Sequence, residues 1–222
     1  MSIVINGSGT ISGISVGGLP DGTVDAGTLA TDSVSAVKIA ANSVDSAELI
    51  DGSVDAVKLA SGVGTGLAEA DQWRLTSNLG VSAATEVIIT SNLARVNSHG
   101  FGKLGTGMTQ SSGVFTFPST GIWLITLIAG FYITNNDSRY IESKIYSSTD
   151  GTNFGVAAYG AESAHNSGSH SYASPPTSFM FDVTSTSTHK IKFAVKSENA
   201  ATLKGTSSYN ATHFTFIRLG DT

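Results

Sequence analysis

Between Asp21 and Gly62 the chain repeats itself four times at a period of ten, and no other feature constrains its fold as strongly. Val24, Val34, Val44 and Val54 stand ten apart, and Leu29, Ile39, Leu49 and Leu59 keep the same step. Small residues hold a third phase at Ala26, Ala36, Ser46 and Ala56. A ten-residue unit with two large apolar side chains cannot bury them alone, so such an array is stable only by stacking or association. Heptads, or the eleven-residue variant, would make a coiled coil, and ten fits neither. The pattern predicts a thin shaft of sister chains. Three chains around one axis would bring together a Val layer and a Leu/Ile layer in every repeat.

The local chemistry agrees. Asp45-Ser46-Ala47-Glu48 is a capping box, in which Asp45 accepts from the Glu48 N–H and the Glu48 carboxylate reaches back. Ser35 and Asp55 begin equivalent stretches that end in Lys38 and Lys58. Each unit therefore reads as an extended step through the valine, a cap, and one turn of helix ending at Leu or Ile. One isolated turn does not persist in water, so packing between chains must supply the stability.

Charged residues make up only 13% of the chain, about half the usual share. Together with abundant Gly, Ser and Thr this favours β-structure with many turns. Seven acids against Lys38 and Lys58 place the whole net charge of −5 in residues 21–62. A basic footprint for nucleic acid is absent, so no nucleic-acid partner is expected. Without cysteine there is neither a disulfide framework nor thiol chemistry. The start, Met-Ser-Ile-Val-Ile-Asn-Gly, lacks the basic and long apolar parts of a signal peptide. The apolar stretch Ile122 to Ile133 is too short to span a bilayer and carries Thr126, so no membrane insertion is expected.

Residues 1–20 carry no charged side chain and alternate around glycines at Ile3, Ile5, Ile14 and Val16. One or two short strands are expected, with a disordered tail as the alternative. An uncharged strand-forming end can add to another protein's sheet, which suits an anchor on a larger particle. Residues 21–62 form the shaft and 63–80 a neck, where helix formers from Leu67 to Leu79 predict a short helix. Trp73 would either seal the shaft or pack under the head.

From residue 81 to 222 the period becomes two. Phe179, Phe181 and Val183 alternate, as do Ile191, Phe193 and Val195, with Lys190, Lys192 and Lys196 opposite. Asp150-Gly151 marks a hairpin between Ile145 and Phe154. The segment therefore reads as a β-sandwich. In Trp123-Leu124-Ile125-Thr126-Leu127-Ile128-Ala129 both strand faces are apolar, so something must cover the second. A partner subunit is the simplest cover. Trp123, Ile125 and Leu127, with Phe214 and Phe216 near the end, are the expected head interface.

The stretch Gly113-Val114-Phe115-Thr116-Phe117-Pro118-Ser119-Thr120-Gly121-Ile122-Trp123-Leu124-Ile125 resembles the G-x-F-T-x-P-x-x-G-x-Y-x-F pattern of the complement/tumour-necrosis-factor-like jelly rolls. Trp123 stands where an aromatic is expected, and Ala211 to Leu219 resembles that family's closing strand. The likeness runs over residues 90–222 and implies a ten-strand jelly roll that trimerises through its inner sheet. The first sixty residues resemble the N-terminal part of bacteriophage fibre proteins. Ser2-Ile3-Val4-Ile5-Asn6-Gly7 through Gly13 and the repeat Asp51-Gly52-Ser53-Val54-Asp55-Ala56-Val57-Lys58-Leu59-Ala60 carry that resemblance. It implies a structural protein on the virion surface, anchored to another virion protein through residues 1–20. The expected fold class is thus mostly β: a repeat shaft with short helical turns, then a jelly-roll head, as a homotrimer.

No catalytic constellation is visible. His165 and His170 lie in a Ser/Gly-rich loop without a third metal donor nearby, and the head carboxylates are scattered. Gly105-Thr106-Gly107 lacks the lysine of a phosphate loop, and no nucleophile elbow is present. The expectation is a protein that is not an enzyme and uses no cofactor or metal. Adhesion to a host glycan or protein, in the manner of a tail fibre, is the leading function. Candidate contacts are Tyr159, His165, His170 and Tyr172, in or beside the Ala161–Pro176 loop. The alternative is a head fibre or knob that decorates the capsid, with a stabilising or weak surface-binding role. Replacing both Val44→Asp and Leu49→Asp would set three charges near the shaft axis in each of two layers. Native mass spectrometry of this variant should show the trimer lost or frayed; full stability would refute axial packing of the repeats.

Overall fold

The computed structural model describes Val4, Ile5, Ile11, Ser12, Ser35, Ile39, Val44, Leu49, Val54, and residues 66–166 and 168–222. The chain divides into two compact units, 1–59 and 60–222. In the first, β1 (Val4–Ile5) pairs antiparallel with β2 (Ile11–Ser12), Ile5 lying opposite Ile11. Short strands were expected here from the alternation around glycine. Of the eight expected shaft-core residues, Ile39, Val44, Leu49 and Val54 are exposed in the single chain. Val24, Leu29, Val34 and Leu59 lie outside the described residues, as do the helical turns expected between them.

The second unit is a β-sandwich, with no helix among its described residues. Its early strands are β3 (Ala70–Leu75), β4 (Ser77–Val81), β5 (Val87–Ile88), β6 (Leu93–Arg95), β7 (Thr109–Ser111) and β8 (Val114–Thr116). Next come β9 (Gly121–Ile128), β10 (Phe131–Thr134), β11 (Ser138–Ser148), β12 (Gly155–Ala164) and β13 (His170–Ala173). The last are β14 (Pro176–Val183), β15 (Lys190–Ser197), β16 (Ala201–Thr206) and β17 (His213–Gly220). One sheet runs β14-β9-β17-β3-β6 and the other β12-β11-β15-β8-β7, with β5 also on β15. Strands β13-β10-β16-β4 form a smaller third sheet. Sequence neighbours such as β8 and β9 fall in opposite layers, which is the jelly-roll path.

Alternation builds the core. Phe115 of β8 reaches across to Phe214 and Phe216 of β17, at ring centroid distances of 5.9 and 5.1 Å. Phe193 of β15 meets Phe214 at 4.5 Å, and Trp73 of β3 stands edge-on to Phe115 at 5.5 Å. Burying each such side chain contributes about 1.5–3 kcal/mol. Trp123, Ile125, Leu127, Phe214 and Phe216 are all 0% exposed with no second chain present. The expected head interface is therefore corrected: these five fill the sandwich of one chain and cannot face another. The second apolar face of β9 belongs to Ile122, Leu124 and Ile128, which are only half-buried.

The neck helix is also corrected. Residues 70–81 form β3 and β4, so the head's sheet begins at Ala70 rather than Val81. Asp71, Trp73 and Leu75 alternate inward there, and pairing with β17 and β6 outweighs the weak helix propensity of Leu67 to Ala70. The same correction reveals a buried carboxylate. Asp71 accepts from Trp73 Nε1 (3.0 Å), the Met108 N–H (2.8 Å), the Gln72 N–H (2.9 Å) and Arg95 Nε (2.9 Å). Its side chain is 1% exposed, and the Arg95 guanidinium also lies over the Trp73 ring.

Both signature glycines have packing reasons. Gly113 (φ +79°) and Gly121 (φ +137°) sit where L-residues are strained, and a Cβ would overlap the Ile89 and Gly220 carbonyls respectively. The Asp150 hairpin joins β11 to β12. Asp150 there accepts from Ser148 Oγ, the Thr152 and Asn153 N–H groups and Asn153 Nδ2. Those bonds, the Asn153 side chain first, hold its carboxyl far below the ordinary 3.8. The folded pKa is depressed, so its contribution is complete above about pH 5 and fades as pH falls through the folded value. Asp150→Asn should therefore lower the melting temperature near neutrality, and the gap to the parent should narrow steadily as pH falls below about 4. Asp71→Ala strands an arginine and three other donors and should cost about 3–5 kcal/mol in urea unfolding.

Candidate surface-binding site

The third sheet carries a cluster of aromatic side chains. In the register of β10 and β13, Tyr132 lies opposite Tyr172 and Thr134 opposite His170. Ring centroids stand 5.5 Å apart for Tyr132–His170, 6.4 Å for Tyr132–Tyr172 and 6.4 Å for the stacked His170–Tyr172 pair. Tyr172 is 68% exposed, an unusual place for a large ring that packs only on its neighbours. Strand pairing is what aligns the three: residues two apart on β13 point to one face, and Tyr132 sits beside them on the next strand. Asn78 of β4 donates from Nδ2 to the Tyr132 hydroxyl at 3.4 Å. Lys204 of β16 places Nζ 5.5 Å from the Tyr209 ring centroid, and the Tyr209 hydroxyl beside it raises the lysine pKa.

Two of the four expected contact residues thus meet, and two do not. His170 and Tyr172 share the patch. Tyr159 stands on β12, exposed, with the Lys144 ammonium 5.9 Å from its ring centroid. His165 is paired with Asp137 at 3.6 Å. The Ala161–Pro176 segment read as a loop is mostly strand, β12 running to Ala164 and β13 starting at His170. Asn78 and Lys204 joined the patch unforeseen, beside Tyr132. Only strand order could have found them, because β4, β10 and β16 are far apart in sequence.

The charged groups elsewhere serve the sheet. Lys144 Nζ donates to Glu86 at 2.7 Å and bridges Glu142 at 3.0 Å, while the Tyr146 hydroxyl donates to Glu86. Burial pushes the Glu86 carboxyl up, but the Lys144 and Tyr146 hydrogen bonds outweigh it and the pKa falls. Glu142 and Lys144 share one strand face. Among the described residues no three His, Cys, Asp or Glu side chains converge as a metal site, and no helix is long and apolar enough to cross a membrane.

No family model matches the chain, and no curated protein matches it in sequence. Among solved structures it is similar to the Eiger TNF of S. frugiperda, at 11% identity and a TM-score of 0.49 over 69% of this chain and 93% of that one. It is also similar to murine APRIL (11%, TM-score 0.48, 68% and 98% covered) and to PRD1 vertex protein P5 (16%, 0.44, 70% and 99%). At such scores these neighbours carry no inference about binding or assembly. The sandwich assignment rests on the strand order itself.

Proposed function

We propose that this chain is a structural protein of a bacteriophage particle, a short homotrimeric projection whose head adheres to the host surface. The N-terminal resemblance and the ten-residue repeats support the particle and the shaft. A second support is an outward apolar row across the first sheet, where Met180, Leu124, Ile217 and Ala70 lie side by side in register. Met180 alone is 60% exposed in the single chain, and a sister subunit is the cover proposed for this row. In this reading residues 1–20 dock on another virion protein, and the head works without catalysis, cofactor or metal.

The observation that carries adhesion is the Tyr132–His170–Tyr172 patch. Exposed rings with hydroxyl and amide neighbours fit sugar or protein surfaces through stacking and adaptable hydrogen bonds. Labelled full-length protein should bind host cells, and His170→Ala with Tyr172→Ala should weaken binding about ten-fold without altering the native mass. Unchanged binding by the double variant overturns the patch. Imaging of whole particles separates the two virion roles: a few trimers at the tail mark an adhesin, dozens over the shell mark capsid decoration. A monomeric mass for the folded protein overturns the projection.

A further inference from the structure

Beside β3 lies a cavity of about 380 Å³ whose wall contains a buried cation, Arg74. Arg74 is 2% exposed. Its two terminal nitrogens donate to Ser98 Oγ (3.1 Å) and Asn97 Oδ1 (2.9 Å), both neutral. Its Nε is buried without an acceptor, and among the described residues no carboxylate forms an ion pair with it. A buried guanidinium is costly unless an anion meets it, and its fork matches a carboxylate.

The lining also supplies a complementary orphan. Gln72 donates from Nε2 to Thr215 Oγ1 at 2.9 Å and accepts from Asn210 Nδ2 at 2.6 Å. That fixes the Asn210 amide and leaves its Oδ1 buried with no donor. The occupant that satisfies both groups carries an anion for Arg74 and an O–H or N–H for Asn210. The lining also includes three rings, His99, Phe101 and Tyr209, together with Val96 and Gly100. His99 adopts φ +58° and is followed by Gly100 at φ +74°. Its Nε2–H donates to the Ser208 carbonyl at 2.5 Å, which ties the segment bearing His99 to the turn bearing Tyr209 and Asn210. A histidine held in the left-handed region at a cavity rim indicates a preset shape rather than a slack loop.

We propose that this cavity binds an acidic sugar. The Arg74 guanidinium takes its carboxylate, the Asn210 Oδ1 accepts from a hydroxyl or acetamido N–H, and the aromatic rim packs on the sugar ring. Apolar ring faces, a carboxylate and neutral donors occur together in sialic and uronic acids, and the cavity has the size of a small-ligand site. The proposal names the ligand class for the adhesive head and rests on that reading. It commits to a glycan rather than to a carboxylate of a sister chain, because a side chain's single carboxylate would leave Asn210 and the aromatic rim unused.

The test titrates full-length protein with N-acetylneuraminic acid and D-galacturonic acid, with neutral N-acetylgalactosamine as the control, by calorimetry or NMR. Saturable binding of an acidic sugar, weakened about ten-fold or more in Arg74→Met and in Tyr209→Ala, is the expected result. Tyr209 is half exposed, so its variant keeps the test open should Arg74→Met fail to fold. Binding of neither acid, or equal binding of the neutral sugar, overturns the site. So does a loss of oligomeric mass in Arg74→Met that leaves acid-sugar binding by Tyr209→Ala intact, since Arg74 then meets a sister chain. Cell adhesion is read in parallel. If the protein adheres and neither acid competes, the cavity proposal falls while adhesion stands; if an acid binds and no cell does, the adhesive reading falls alone.

Discussion

The head depends on Phe115. Its ring meets Trp73, Phe193, Phe214 and Phe216, which come from both main sheets, so one side chain links the two layers. Close packing of this kind sets the distance between layers, and every strand register must then agree with it. That is why Gly113 and Gly121, on either side of Phe115 and Phe117, have no room for a Cβ. The motif around them records the demands of a tight sandwich corner. Phe115, Phe117, Trp123 and Ile125 of the motif are consumed by packing.

Polar groups sort by the face of β3 they occupy. Asp71 points into the sandwich with its acceptors filled by four partners and Arg95 as counter-ion. Arg74 points the other way, equally buried, yet keeps one donor unpaired. A buried charge that is fully bonded rigidifies a fold, whereas one left short is costly unless something binds it. Burial also pushes His213, directly opposite Arg74 on β17, to a lower pKa. On this face of the sheet burial favours the neutral form of the histidine beside the cation.

Exposed chemistry follows a different logic. The Tyr132–His170–Tyr172 cluster exists because β10 and β13 pair, and Tyr209 lies between Lys204 on one side and the Arg74 cavity on the other. Such groups add little to stability, so the fold leaves their identity free. They are also where the core's demands say least, and where binding chemistry has room to differ.

Period-two stretches were legible in the chain: Phe179–Phe181–Val183, Ile191–Phe193–Val195 and Phe214–Phe216 became β14, β15 and β17 because alternation is a local property. The Asp150-Gly151 hairpin was legible for the same reason. The strand at Ala70–Leu75 was not, since its helix formers carry a weak local preference that pairing with β17 and β6 overrides. Sequence also showed that both faces of Trp123 to Ala129 are apolar, but not which face the chain itself would fill. Only the tertiary structure decided that Trp123, Ile125 and Leu127 turn inward. The same holds for the aromatic patch and the Arg74 cavity. Periodicity fixes which residues share a face, whereas the order of strands in a sheet fixes which faces meet, and that order is set by contacts between segments a hundred residues apart.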